Sequence, residues 1–451
     1  MPLSRRKFLK LGPQAALAGG MLAVTSAKAE TVADVDVIII GAGISGLAAA
    51  HELTKKGYEV VVLEAKSNIG GRLLTDWSLG APFEVGAGWI HGPRGNPIST
   101  LAKAENAKTV VTKDDSYQVF THDGMELGYD KVDKAWGQLE KIFSKIDTRF
   151  DGDQTLSQAI KKVAPKALDD PLLSWMFSAY TEFDTGGPLE KLSAYYFDED
   201  DAFAGADVVL TTGYDEILKP LAKGLDIRLN QPVTRVEYEK GDGATVFSGN
   251  TAYEASFVIS TLPLGVLQAK DVKFDPPLPK SQRARIKRIG MGNVTKLAMK
   301  FDQAYWPTDT QYFGLMTKEK GRWNYFLNYR TFCDQNILLA LSVGDYATKV
   351  EKLSEKAMLA DCMKAARTMF GQDVPEPQTH LATRWSRDKF SKGAYSYSKL
   401  GVKPADFDNL AKPVEDVIVF AGEHTLFKYH ATVHGAYLSG LRAAKIVDGL
   451  A

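Results

Sequence analysis

Gly41-Ala42-Gly43-Ile44-Ser45-Gly46 has the G-x-G-x-x-G spacing with which a chain turns tightly beneath a pyrophosphate. Gly41 and Gly43 suit the turn and the close backbone approach, and Gly46 suits close packing of a helix on a strand. Ser45 falls at the start of that helix, where free N–H groups and the positive dipole end favour an anion. Glu64, about twenty residues further on, is placed to accept hydrogen bonds from an adenosine ribose, with Ala65 beside it. These residues fit either a nicotinamide or a flavin dinucleotide. Asn68-Ile69-Gly70-Gly71-Arg72 favours FAD, because a second glycine pair ending in Gly71 and followed by the cation of Arg72 suits a longer diphosphate cofactor.

The elements that must hold these residues are legible around them. An apolar strand runs through Val37-Ile38-Ile39-Ile40, a helix is predicted over 44–56 with Gly57 as its stop, and a second strand over 59–63 ends on Glu64. Further apolar strands, Phe257-Val258-Ile259-Ser260 and Val417-Ile418-Val419-Phe420, lie far away in the chain. If they join the same sheet, the cofactor domain is discontinuous. Beyond the last of them, Phe420-Ala421-Gly422-Glu423-His424-Thr425 leaves the strand and a helix begins near Thr432 and Val433. Its N-terminus would bring positive potential to a reduced flavin. The expected fold is α/β: a Rossmann-like FAD-binding domain from 30–100, 205–285 and 381–451, with a mixed α+β substrate domain from 101–204, mostly helical, and 286–380. No repeat, low-complexity tract or linker is evident, and nothing apolar follows the last helix, so no membrane anchor is expected there.

Fifty-five basic and 55 acidic side chains leave no net charge, which removes any electrostatic reason to expect nucleic acid. A chain of 451 residues, 45% hydrophobic, has the material for a large core. Cys333 and Cys362 lack metal-ligand spacing, no metal is expected, and the two are compatible with free thiols or with one bridge. At the N-terminus, Ser4-Arg5-Arg6-Lys7-Phe8-Leu9-Lys10, a weakly apolar stretch over 11–24 and Ala27-Lys28-Ala29 have the order of a twin-arginine signal with its cleavage site. Residues 1–29 are therefore expected to be removed by the export machinery, leaving a periplasmic enzyme that was exported folded.

These motifs resemble the flavin-containing amine oxidases along essentially the whole mature chain. Gly86-Ala87-Gly88-Trp89-Ile90-His91-Gly92, followed by Gly95-Asn96-Pro97-Ile98, is most similar to the spermine and acetylpolyamine oxidases. That resemblance implies that Gly88 and Trp89 run past the flavin and that His91 stands in the substrate channel. Met291-Gly292-Asn293-Val294-Thr295-Lys296 resembles the strand whose lysine holds a water beside flavin N5, which makes Lys296 the first catalytic candidate. Thr383-Arg384-Trp385-Ser386 and Lys392-Gly393-Ala394-Tyr395 resemble the loop that lays Trp385 on the isoalloxazine and turns Tyr395 toward the amine, with Phe390 counted on the substrate side. The family pattern further assigns Glu423 to the ribityl chain, Thr432 and Val433 to the pyrimidine edge, and the backbone of Val233 to the adenine. Ala394 stands where the monoamine oxidases have their flavin-tethering cysteine, so the flavin is expected to be bound non-covalently. Thr432 replaces the second cage tyrosine and is counted with the substrate residues too. Glu182 and Asp184 are the carboxylates proposed to grip distant ammonium groups.

The chemistry implied is hydride transfer from the amine's α-carbon to flavin N5, then hydrolysis of the imine to an aldehyde and a shorter amine, with O2 reduced to H2O2. His91 and Tyr395 would position the substrate. An amine dehydrogenase feeding a periplasmic carrier, an oxidase of monoamines or amino acids, and a flavoprotein without turnover stay open at this point.

Overall fold

Val37, Ile38, Ile39 and Ile40 are each at most 2% exposed, as a strand covered on both faces requires. They end the strand β1 (Glu30–Ile40), the middle of an eight-stranded sheet in a computed structural model that describes residues 30–147 and 152–451. The signal expected over 1–29 lies outside the described residues. On one side β2 (Val60–Leu63) and then Asp226–Arg228 run parallel to β1; on the other lies Thr251–Ser260, also parallel, with Ile418–Phe420 beside its second half. The first half of Thr251–Ser260 continues antiparallel into Gly243–Ser248 and Val233–Glu239, and Lys273–Asp275 closes that edge. Ile40 pairs with both Leu63 and Ser260, and Ser260 with Phe420, so four strand ends finish level. Ligands of such sheets bind beyond those carboxyl ends.

The helix α1 (Ile44–Lys55) follows directly and packs against the last helix, Val433–Leu450. Glycine makes this contact possible: a Cβ on Gly440 would lie 2.1 Å from the Ser45 carbonyl oxygen, and one on Gly46 2.0 Å from that of Gly41. The hydroxyls of Ser45 and Ser439 then meet at 3.1 Å. Chain beginning and chain end are thus locked together over the turn.

A second sheet of six strands runs in the order Thr379–Ala382, Val294–Lys300, Ile337–Val343, Tyr325–Asn328, Tyr312–Leu315 and Tyr117–Phe120. Its pleat divides two cores: Leu297, Met299, Leu338 and Ala340 meet the helix Glu355–Phe370, while Ala298, Leu339 and Leu341 meet the helices of the 129–185 region. The mostly helical reading of 101–204 missed two strands, Thr109–Val111 and Tyr117–Phe120. Both are short and sit at edges of their sheets, paired with Val208–Leu210 and Tyr312–Leu315, so their partners are too distant in the chain for a local pattern to announce them. Both cysteines are free, which removes the bridge reading; Cys362 is buried in the helix Glu355–Phe370 and Cys333 follows the turn after Tyr325–Asn328. Among the described residues no helix is long and apolar enough to cross a membrane.

Gly440→Ala is expected to cost about 1–3 kcal/mol through overpacking, whereas Gly449→Ala on the same helix, with open space around it, should be neutral or slightly stabilising. Urea unfolding of the two variants checks the contact.

Candidate active site

The start of α1 is uncapped by any side chain, because Gly43 occupies the N-cap, so its first-turn N–H groups are left for an anion. Gly70 and Gly71, with φ of +103° and +61°, bring the second glycine loop against the first: Gly70 N donates to the Ala42 carbonyl at 2.9 Å. Glu64 is buried, and its two oxygens accept from Ala42 N and Lys66 N, each at 2.8 Å, with further lone pairs left for ribose hydroxyls. Gln231 N donates to the Glu64 carbonyl at 2.8 Å, which brings the segment leading to Val233 alongside Ala65 at the same rim. The hydroxyl of Ser260 at its strand end, and both ring nitrogens of His424 next to Glu423, are buried without a partner among the described residues. Orphan polar atoms at the level strand ends, with an uncapped helix, fit a bound dinucleotide cofactor.

Arg72 joins this cradle to the end of the chain. Its Nη1 donates to the Ala394 carbonyl at 2.7 Å and to Glu423 Oε1 at 2.9 Å. The other oxygen of Glu423 accepts from the Ser396 hydroxyl at 2.6 Å, the Ser396 N–H at 3.3 Å and the Ala431 N–H at 3.1 Å. Burial opposes the charge of Glu423, but Arg72, His424 and Ser396 outweigh it and hold its pKa down at about 2. Its carboxylate and one end of Arg72 are therefore committed to protein groups, so these residues assemble the cradle in addition to any contact with ribityl or diphosphate. Thr432 caps the last helix: its hydroxyl accepts from Gly435 N at 2.9 Å and donates to the Tyr429 carbonyl at 2.8 Å, and Val433 opens the first turn.

Lys296 shares the parity of Ala298 on the strand Val294–Lys300, so it emerges on the inner face of the sheet, 7% exposed. Its Nζ donates to the carbonyls of Glu84 and Gly86, at 2.9 and 2.6 Å, and lies 5.6 Å from the Trp89 ring. Burial lowers its pKa from the ordinary 10.5, against the pull of the Glu84 carboxylate. A Cβ on Gly88 would come within 3.7 Å of Nζ, so the glycine keeps that approach open. From elsewhere in the chain, buried Trp385 donates from Nε1 to the Val85 carbonyl at 3.0 Å. Lys296 and Trp385 thus hold one short segment, 84–86, on three successive carbonyls. A small cavity of about 40 Å³ reaches Lys296, lined mainly by apolar groups such as Trp89, Leu327, Phe332 and Leu339.

Tyr395 is placed by the strand that carries Lys296: Gly292 N donates to the Tyr395 carbonyl and Ala394 N to the Gly292 carbonyl, both at 2.8 Å. Its ring lies across Gly186, where a Cβ would come within 2.5 Å of it, and its hydroxyl donates to the Phe183 carbonyl. Phe183 meets Trp89 edge-on at 6.2 Å and Tyr325 at 6.0 Å. Beside this aromatic wall, His91 Nδ1 and Asp207 Oδ2 are 2.6 Å apart, and the Gly92 N–H donates to the other Asp207 oxygen at 2.9 Å. Burial would lower the pKa of His91, but Asp207 first, then Asp184 and Asp114, raise it. Asp184 is reachable by solvent yet ringed by protein. Burial pushes its pKa up to about 7, with the charges of Asp198, Asp207 and Asp200 adding to this and His91 opposing it.

Lys296, Trp89, Tyr395, His91 and Asp184 are therefore brought together. Glu182 is not available as a substrate carboxylate: it is 1% exposed, paired with Lys320 at 2.8 Å, and accepts from Leu189 N at 2.9 Å. Its place inside the π-helical turn Phe177–Glu182 points it into the core, while Asp184, two residues on, emerges. The hydroxyl of Thr432 donates to Tyr429 and accepts in its cap, which removes it as a donor to substrate. Phe390 is not one of the side chains lining the cavity at Lys296; its ring lies under the Lys389 ammonium, 4.6 Å away. The sequence reading missed Glu84, Phe183 and Asp207. Glu84 had a signal, a lone carboxylate in Phe83-Glu84-Val85 just ahead of the Gly86–Gly92 run; Asp207, 116 residues from His91, had none.

An uncapped helix under a double glycine turn, a buried lysine in a narrow cleft and an acid-rimmed aromatic recess fit a cofactor-dependent redox enzyme. The chain belongs to the flavin-containing amine oxidoreductase family, whose model matches residues 44–448, and is a flavin-dependent amine oxidase. It is 33% identical to polyamine oxidase 4 of Oryza sativa subsp. japonica, over 96% of this chain and 92% of that one. It is 34% identical to lysine-specific histone demethylase 1 homolog 2 of Arabidopsis thaliana, over 90% of this chain and 58% of that protein. Among solved structures, a putrescine oxidase bound to putrescine superposes with a TM-score of 0.76 at 22% identity, over 93% of this chain and all of that one, which shows the shared fold.

Because the pKa of Glu423 is depressed from 4.5 to about 2, its stabilisation is present above pH 4.5 and is lost as pH falls toward 2. Glu423→Gln should remove about 3 kcal/mol at neutral pH and flatten that acid limb, as measured by urea unfolding between pH 3 and 7.

Proposed function

We propose that this chain is a polyamine oxidase that binds FAD non-covalently, reduces O2 to H2O2 and works in the periplasm. The observation that carries the substrate class is the recess: aromatic walls of Trp89, Phe183 and Tyr395 beside the carboxylates of Asp184 and Asp114, with Asp207 held by His91. Aromatic faces attract ammonium groups and clustered carboxylates attract several of them at once, whereas a simple monoamine has one charge to offer. The names of its relatives support the same reading.

When bound, FAD supplies the N5 acceptor for a hydride from the amine's α-carbon. The protein's own groups orient and exclude water. Tyr395, its hydroxyl committed to the Phe183 carbonyl, acts as a wall and not as an acid. Asp184, with a pKa near neutrality, gives up its proton as a cationic chain arrives and then holds an ammonium group. The His91–Asp207 pair fixes the other wall of the recess. Lys296 has a third nitrogen position, the one not facing Glu84 and Gly86, that would serve a partner such as a water beside the flavin. Non-covalent binding is supported by Ala394, whose methyl group has no thiol with which to tether a flavin. Export is supported by the twin-arginine order of residues 4–29.

Anaerobic stopped-flow mixing with spermine, spermidine, putrescine and a monoamine should bleach the flavin fastest with the polyamines. Asp184→Asn should weaken polyamine binding about tenfold, the equivalent of 1.4 kcal/mol, and leave a monoamine nearly unaffected. Equal bleaching by the monoamine, or an unchanged polyamine affinity in Asp184→Asn, contradicts the assignment; H2O2 formed per amine consumed tests the acceptor. Replacing Arg5 and Arg6 by lysine should keep the protein in the cytoplasm, and normal export of that variant would rule out the twin-arginine route.

A further inference from the structure

Glu84 is the buried carboxylate that the chemistry above leaves unused. It is 7% exposed; Oε2 accepts from the Thr75 hydroxyl at 2.9 Å and Oε1 from the Tyr214 N–H at 2.9 Å. Its own backbone carbonyl is one of the two that hold Lys296 Nζ. Its side chain and the same ammonium both flank Gly88: the position of a Cβ on Gly88 lies 3.5 Å from Glu84 Cβ, 3.8 Å from Glu84 Cγ and 3.7 Å from Lys296 Nζ. Both side chains line the one cavity.

The geometry around Nζ makes its proton count matter. Two backbone carbonyls take two N–H bonds, so the third position is an N–H donor when the lysine is charged and a lone-pair acceptor when it is neutral. We propose that Glu84 is the positioning residue that sets the ionisation of Lys296, its negative charge keeping the third position a donor toward the flavin. This rests on the reading that Lys296 faces flavin N5. Burial works against both charges, lowering the pKa of Lys296 and raising that of Glu84; the Glu84 carboxylate alone opposes this for Lys296, whereas for Glu84 the Thr75 hydroxyl and the Tyr214 N–H oppose it first and Lys296 after them. The other ionisable groups around the pair leave this control with Glu84. Asp215 adds negative potential on Glu84, and burial pushes Tyr214, Tyr329 and the Cys333 thiol up and away from neutral pH.

The test is the pH dependence, in the purified holoenzyme, of two quantities: the absorbance of the oxidised flavin and the rate of reoxidation after reduction by amine. Wild type should show an inflection in both, below the ordinary lysine range, and Lys296→Met should lack it. In Glu84→Gln the inflection should move about one unit lower, close to a tenfold change at a fixed pH on its flank. Glu84→Asp, which keeps the charge but withdraws it by one methylene, should move it less, and it remains informative if the glutamine variant does not fold. An inflection left in place in either Glu84 variant overturns the role of Glu84. An inflection that survives in Lys296→Met overturns the placing of Lys296 at the flavin, a separate failure recognised by that variant alone.

Discussion

Glu423 is gripped by donors from three other parts of the chain, Arg72, Ser396 and Ala431, and nearly every functional element is fixed relative to that carboxylate. Arg72 ends the second glycine loop, Ser396 follows Tyr395, and Ala431 precedes the cap of the last helix. A carboxylate taken out of water at this depth is tolerated because one guanidinium and several N–H and O–H donors replace its hydration. The same group of bonds decides where the aromatic loop stands over the cradle, since Arg72 also holds the Ala394 carbonyl.

Low polarity around the site acts on each ionisable group according to its company. Glu423 has a cation in contact and stays charged far into acid, whereas Asp184, ringed by other carboxylates, is brought near neutrality. Lys296 has burial on one side and a single carboxylate on the other. Three groups of ordinary type thus acquire three behaviours, set by their surroundings and by neighbours from distant segments. The recess is negative and aromatic at its rim, while the cavity at Lys296 is mostly apolar.

The cofactor cradle was legible from local pattern because its parts are contiguous: strand, glycine turn and helix over 37–55, and the carboxylate at 64, each obey short-range rules. The strand carrying Lys296 was legible too, yet its inward direction was not, because only pairing with Ile337–Val343 and Thr379–Ala382 decides which face of Val294–Lys300 is covered on the inside. Glu182 and Asp184 look equivalent in sequence. The π-helical turn ends on Glu182 and sends it to Lys320 in the core, while Asp184, two residues on, is exposed.

The sequence by itself determined the dinucleotide turn, the family and the aromatic and lysine motifs, since these depend on residue types at short fixed spacings. Tertiary structure alone decided which charges share an environment: Glu84 with Lys296, Asp207 with His91, Arg72 with Glu423. Those pairings join segments more than a hundred residues apart, and a pKa responds to distance and burial in space, quantities that no local pattern encodes.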